Sequence, residues 1–174
     1  YPAVAYDHPD APLLSVLGSV LSHGYLHGAI RERGGAYGGG AAFASDSAVF
    51  RFYAYRDPRL LETFEDFDRA IDWVFSDALT DRHVSEAILS VISSIDKPAA
   101  PCMEVRKQFY ATLYGRSKAK LEAYRQSVMS ASCDEIRRVA KTYLLDQNHS
   151  KATITSKAQA ETLHWDDAKR IELV

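Results

Sequence analysis

The chain has 174 residues, of which 47% are hydrophobic and 25% charged, with a formal net charge of -2. That length suffices for one domain burying roughly 70% of its unfolded surface without disulfides, and the near-balance of charge argues against nucleic acid or an anionic membrane as a partner. No apolar run approaches the ~20 residues needed to span a bilayer, and Cys102 and Cys133, which lack metal-ligand spacing, read as reduced thiols of a reducing compartment.

Residues 1–6 read as a short strand, broken by His8, Pro9, Asp10 and Pro12. A long helix follows, because Leu13, Val16, Leu17, Val20, Leu21, Leu26 and Ile30 recur at helical spacing. Gly34 and Gly35 stop it, and Arg31 and Arg33 place cations at the negative end of its dipole. Residues 41–45 and 49–55 predict two strands joined at Asp46-Ser47, so the sheet is expected to be antiparallel. Asp57 and Pro58 have the chemistry of a helix start, ahead of an apolar stripe from Leu60 to Phe75.

Thr80 or Asp81 opens the next helix, which Pro98 and Pro101 end. Val105, Phe109 and Leu113 mark a further helix whose stripe is expected to share the common core. Another runs from Ser117 to about Met129, and Ser132 with Glu135 forms a capping box before Ile136, Val139, Ala140 and Leu144. Residues 152–155 predict a strand, and the last twenty residues a short helix and a terminal strand. Strand, helix, two strands, several helices and a strand describe an α+β fold, an antiparallel sheet with helices packed on one face. Residues 1–174 are expected to form a single domain. The chain opens at Tyr1 rather than Met and reads as a partial domain of a longer protein.

The stretch from Gly34 to Gly40 is the least ordinary feature, with five glycines in seven positions. One reading is a helix stop followed by a flexible turn. Phosphate binding is disfavoured: it needs strand, glycines, then a helix N-terminus, and here the glycines leave a helix and enter a strand. The Lys-Ser/Thr of a P-loop is also missing. The third reading is peptide binding. An extended peptide can add to a strand edge through main-chain hydrogen bonds, glycines leave room for it, and Arg31, Arg33 and Tyr37 could reach its carbonyls. Arg31 and Tyr37 would be ~9 Å apart in rise along a helix and ~20 Å apart if extended, so only a bend at Gly34-Gly35 lets them converge.

His23 and His27 have a spacing able to hold zinc but lack the glutamate of a His-Glu-x-x-His motif. His83 and Glu86 are half of a His-x-x-Glu-His motif whose next position is Ala87, and catalytic zinc sites usually need three protein ligands. His8, His149 and His164 stand in expected loops. No Gly-x-Ser-x-Gly elbow is present.

The run Leu26-His27-Gly28-Ala29-Ile30-Arg31-Glu32-Arg33-Gly34-Gly35-Ala36-Tyr37-Gly38-Gly39-Gly40 resembles a signature of the C-terminal, non-zinc half of insulinase/pitrilysin-type metallopeptidases, in particular the presequence-protease subgroup. Tyr55-Arg56-Asp57-Pro58, Ile95-Asp96-Lys97-Pro98 with Pro101, then Tyr114-Gly115 and Arg125 continue it, from about residue 13 to 145. The resemblance implies a parent of two homologous halves, each folded as α+β sandwiches, that close around a chamber where unstructured peptides are cut. Zinc would sit in the N-terminal half on a His-x-x-Glu-His motif, and this chain would bind no metal.

By motif match, Arg31 and Tyr37 would hold the substrate backbone beside the scissile bond. Tyr37 would help stabilise the oxyanion, with Arg33, Gly35, Ala36, Gly38 and Gly39 lining the peptide. The partners implied are a peptide and the zinc-bearing half of the same parent, and this piece alone is expected to be inactive. One or two strands are expected to precede residue 1, leaving an edge through which copies could self-associate. Relatives work in mitochondria and plastids, and bacterial ones occur, so an organelle interior or the bacterial cytoplasm is expected. The alternative is a non-catalytic scaffold subunit of the same fold; a nucleotide-binding domain is a weaker rival.

Overall fold

In the computed structural model, which describes residues 1–161, the longest apolar stripe becomes the central element of the core. Helix α1 (Ala11–Leu21) starts with Pro12 in its first turn, where a missing N–H costs nothing. It continues without a break into a wider π-type stretch, Ser22–Arg33. Leu14, Val16, Leu17, Leu21, Leu26 and Ile30 are all sealed from solvent. Each such side chain contributes about 1.5–3 kcal/mol by leaving water. At 23 residues, Ala11–Arg33 is long and apolar enough to cross a membrane on length and composition, but its apolar side chains face protein.

Strands β1 (Gly38–Ala44) and β2 (Val49–Tyr55) form the antiparallel hairpin in a register that sets Gly38 opposite Tyr55 and Ala44 opposite Val49. The glycine run is thus more strand than turn, since Gly38, Gly39 and Gly40 are the first three residues of β1. β1 packs on α1 and on the π stretch. Ser22 closes part of its outer edge, its Oγ donating to the Ala41 carbonyl at 3.0 Å and accepting the Ala41 N–H at 2.8 Å.

Helix α2 (Leu61–Val74) packs against the π stretch, while α3 (Asp81–Ile95), α5 (Lys118–Met129) and α6 (Cys133–Tyr143) pack on α1. The α6 capping box forms as the sequence requires: Ser132 Oγ accepts the Glu135 N–H at 3.4 Å, and Glu135 Oε2 accepts the Ser132 N–H at 3.1 Å. Asp10, at the mouth of α1, ties the two ends of the fold together. Its carboxylate accepts from Arg138 Nη2 at 2.6 Å and from the Tyr143 hydroxyl at 2.8 Å.

Several expectations are corrected. Residues 1–6 form no full strand; Pro2 makes one isolated antiparallel bridge to Val49, and the bonds come from Tyr1 to Phe50 and from Ala3 to Ala48. Proline has no N–H to offer a ladder, and the chain turns away at residues 6–7. Residues 152–155 join no ladder. They lie in an irregular segment held near β2 by His149 stacking on Tyr1 and by Lys151 over the Phe64 ring.

Helix α2 begins at Leu61 rather than at Pro58, because the Asp57 carboxylate accepts from the Arg59 N–H and the Thr63 hydroxyl and forms a turn instead. Helix α4 (Pro101–Leu113) buries none of its residues. Val105, Phe109 and Leu113 are 70%, 64% and 64% exposed, so this stripe is no part of the core. Helix α7 (Lys157–Glu161) ends the described chain; the expected terminal strand lies outside the described residues.

Candidate peptide-binding site

The glycine turn is built by the way the π stretch ends. Gly35 has φ +77°, a conformation that a side chain resists. The Gly35 N–H donates to the Arg31 carbonyl at 3.2 Å and the Ala36 N–H to the Ile30 carbonyl at 3.1 Å, so the last carbonyls of the helix find partners. The Ala36 methyl is buried beneath. The chain then swings into β1, and the Tyr37 N–H donates to the Arg56 carbonyl at 3.2 Å.

This bend sets Arg31 and Arg33 on one side of the double glycine and Tyr37 on the other. All three side chains are exposed, Tyr37 by 63%. Among the described residues, no hydrogen bond or ion pair engages the Arg31 or Arg33 guanidinium, and none joins Arg31 to Tyr37. The cation that does meet Tyr37 is Arg56, whose guanidinium carbon lies 5.2 Å from the ring centre. Tyr55 flanks the same ring at 5.7 Å. Gly38 permits this arrangement, since a Cβ there would come within 2.6 Å of the Tyr55 ring.

Beneath the turn lies a charged cluster. Arg59 extends under Gly34, occupying the space that a Gly34 side chain would need. Its Nη1 donates to Asp66 Oδ2 at 3.0 Å, and its Nε sits 3.7 Å from Asp57 Oδ1. Arg69 reaches the other Asp66 oxygen at 3.3 Å. Arg59 Nε and Nη2 are buried without a hydrogen-bond acceptor. The sequence marked Tyr55-Arg56-Asp57-Pro58 as a helix start and as part of the family resemblance, with no site role given to its residues. Its residues instead serve the glycine turn, a role that depends on contacts about twenty positions apart.

An open groove of about 1270 Å³ runs along the outer edge of β2, lined among others by Tyr1, Phe52, Ala54, Arg59, Phe64 and Lys151. The Tyr1 pairing stops at Phe50. By alternation, the next outward-facing main-chain groups, those of Phe52 and Ala54, meet no backbone partner among the described residues.

Of the histidines, His23 and His83 are brought together with Glu86 around a small hollow of about 220 Å³, a juxtaposition invisible in sequence. Both rings are tethered through Nδ1, His23 to the Ser19 carbonyl at 3.0 Å and His83 to the Thr80 N–H at 3.2 Å. Arg82 hydrogen-bonds to Glu86 and holds its carboxyl below the usual carboxylate range. His27 instead faces Glu32 at 3.4 Å. His164 lies outside the described residues. Among the described residues, no three His, Cys, Asp or Glu side chains meet in a way that could hold a metal ion. Cys102 and Cys133 are both free thiols, and burial together with the Asp81 carboxylate pushes the Cys133 thiol up.

Comparison with known proteins points in one direction. Residues 8–157 match the family model described as the PreP C-terminal domain. The mitochondrial presequence protease of Mus musculus is 40% identical over 141 residues, covering 81% of this chain and 13% of the relative. Those of Schizosaccharomyces pombe and Saccharomyces cerevisiae are 34% and 32% identical over 163 and 168 residues, covering 93% and 94% of this chain and 16% of each relative. The chain thus spans less than a fifth of the length of these relatives. These matches establish that the chain belongs to the presequence-protease C-terminal domain family.

Proposed function

We propose that this chain is the substrate-binding part of the non-zinc half of a zinc metalloendopeptidase, one that degrades unstructured peptides inside a closed chamber. Residues 1–174 would act as one unit of that half, with the zinc-bearing half supplied by the same parent polypeptide. Zinc would be bound by that other half, where it would supply the Lewis acid that activates the attacking water. The relatives are named as mitochondrial, and an organelle interior is the location proposed for the parent, a setting compatible with two free thiols.

The observation that supports the reading is the exposure of both Arg31 and Tyr37, which flank a glycine turn that feeds directly into a glycine-rich strand. Arg31 and Arg33 offer guanidinium N–H groups to the carbonyls of an extended peptide. At Gly35 the nearest atom to a missing Cβ is Pro58 Cγ at 3.7 Å, so a peptide backbone can approach there; Ala36, Gly38 and Gly39 would line the peptide with their main chain. Tyr37 offers a hydroxyl donor to the oxygen on which negative charge develops as the peptide bond is attacked. One such donor is worth about 3 kcal/mol, or ~10²–10³ in rate.

The test is steady-state cleavage of an unstructured peptide by the full-length polypeptide. Tyr37→Phe is expected to lose most of kcat with little change in KM, and Arg31→Ala to weaken both. Wild-type kcat in the tyrosine variant would remove the oxyanion role, and wild-type kinetics in the arginine variant would remove the contact.

A further inference from the structure

We infer that Arg56 is the positioning residue for Tyr37: it clasps the phenol ring and its backbone from the far end of the hairpin and so sets where the hydroxyl is presented. The inference rests on the reading of Tyr37 given above. Tyr37 is among the more exposed large side chains of the fold, so core packing does not fix its direction. Three contacts do. Its N–H donates to the Arg56 carbonyl, the Arg56 guanidinium lies over its ring, and the Tyr55 ring flanks it. Two of the three come from one residue.

Arg56 also takes an unfavoured backbone conformation, φ +50°, outside the region that residues with a side chain prefer. That conformation carries the chain from β2 into the Asp57 turn, whose carboxylate is occupied by Thr63 and the Arg59 main chain. Arg56 makes no ion pair among the described residues, so its charge is not drawn away from the ring. Strain of this kind at an exposed non-glycine residue is commonly found beside functional groups. A glycine would hold the same backbone more easily, but it would remove the guanidinium.

The substitutions follow from that contrast. Arg56→Gly keeps the turn and relieves the backbone while deleting the cation. Arg56→Lys keeps the cation, which can still sit over an aromatic face. Both are made in the full-length polypeptide, alone and combined with Tyr37→Phe, and peptide cleavage is followed as kcat and KM.

Loss of the clasp is expected to lower kcat about tenfold with KM nearly unchanged, since small misplacement of a reacting group costs on that order or more. Arg56→Lys is expected to retain activity within about threefold of wild type, as a surviving cation–π contact implies. In the background of Tyr37→Phe, Arg56→Gly should cost almost nothing more, because the hydroxyl it positions is already gone.

Full additivity of the two losses would overturn the inference, as would wild-type kcat in Arg56→Gly while Tyr37→Phe is impaired. Equal damage from Lys and Gly would also overturn it. An unimpaired Tyr37→Phe would overturn the functional reading itself, and the inference with it. The two failures are therefore told apart by the tyrosine variant alone.

Discussion

Replacing Arg59 with methionine tests whether the charged cluster beneath the glycine turn matters to stability. Arg59 is 24% exposed, and its acidic partners Asp57 and Asp66 are each 9% exposed. Removing one partner of a buried pair typically costs about 3–5 kcal/mol, because the remaining charge is left in a poor solvent. Here Arg69 still reaches Asp66, and the Thr63 hydroxyl still reaches Asp57. The expected loss is therefore smaller, about 2 kcal/mol. With a urea dependence of about 2 kcal/mol/M, the unfolding midpoint should fall by about 1 M.

Adding Asp66→Leu should restore much of that loss, since the stranded carboxylate is then gone and apolar replacement of a buried pair is often neutral. The control is Arg82→Met, which breaks an ion pair with Glu86 that is 85% and 56% exposed and should leave the midpoint in place. If Arg59→Met shifts the midpoint no more than the control does, the cluster contributes nothing to stability and the reasoning fails.

Asp10 predicts a pH dependence. The Arg138 hydrogen bond, aided by Tyr143, holds its carboxyl below the ordinary range. Its stabilising contribution is thus present above the unfolded value near pH ~3.9 and is lost as pH falls through the folded value. Asp10→Asn should be less stable than wild type at neutral pH, and acid titration of unfolding midpoints should close the gap; a gap unchanged in acid would refute this.

Burial and the Asp10 carboxylate push the Tyr143 phenol up to about 12. Its contribution is present below the unfolded value of about 10 and fades as pH rises toward about 12, a fading that Tyr143→Phe should lack. The exposed α4 stripe predicts that changing Val105, Phe109 and Leu113 together to serine leaves core stability nearly unchanged, within the range of surface substitutions summed with lost helix propensity. A collapse of the urea midpoint would place the stripe in the core after all. The open outer edge of β2 predicts concentration-dependent dimers of this chain, and a constant monomer mass by light scattering over a wide concentration range would count against it.

Sequence alone determined the elements whose signals are local. The α1 stripe, the double-glycine stop, the hairpin turn at Asp46-Ser47 and the Ser132-Glu135 capping box depend on neighbours within a few residues, and all are where the pattern put them. The family motifs were legible for the same reason, and Arg31 and Tyr37, named from them, are both exposed. Tertiary structure decided the rest. The α4 stripe has the same periodicity as a core helix, and periodicity shows that a face is apolar, not that this chain covers it. Residues 152–155 had strand composition but found no ladder, because a strand exists only by pairing with another. The arginine that meets Tyr37 is Arg56 rather than Arg31, since antiparallel register, which sets Gly38 against Tyr55, brings the far end of the hairpin to the phenol. Such contacts join positions remote in sequence, and no local pattern encodes them.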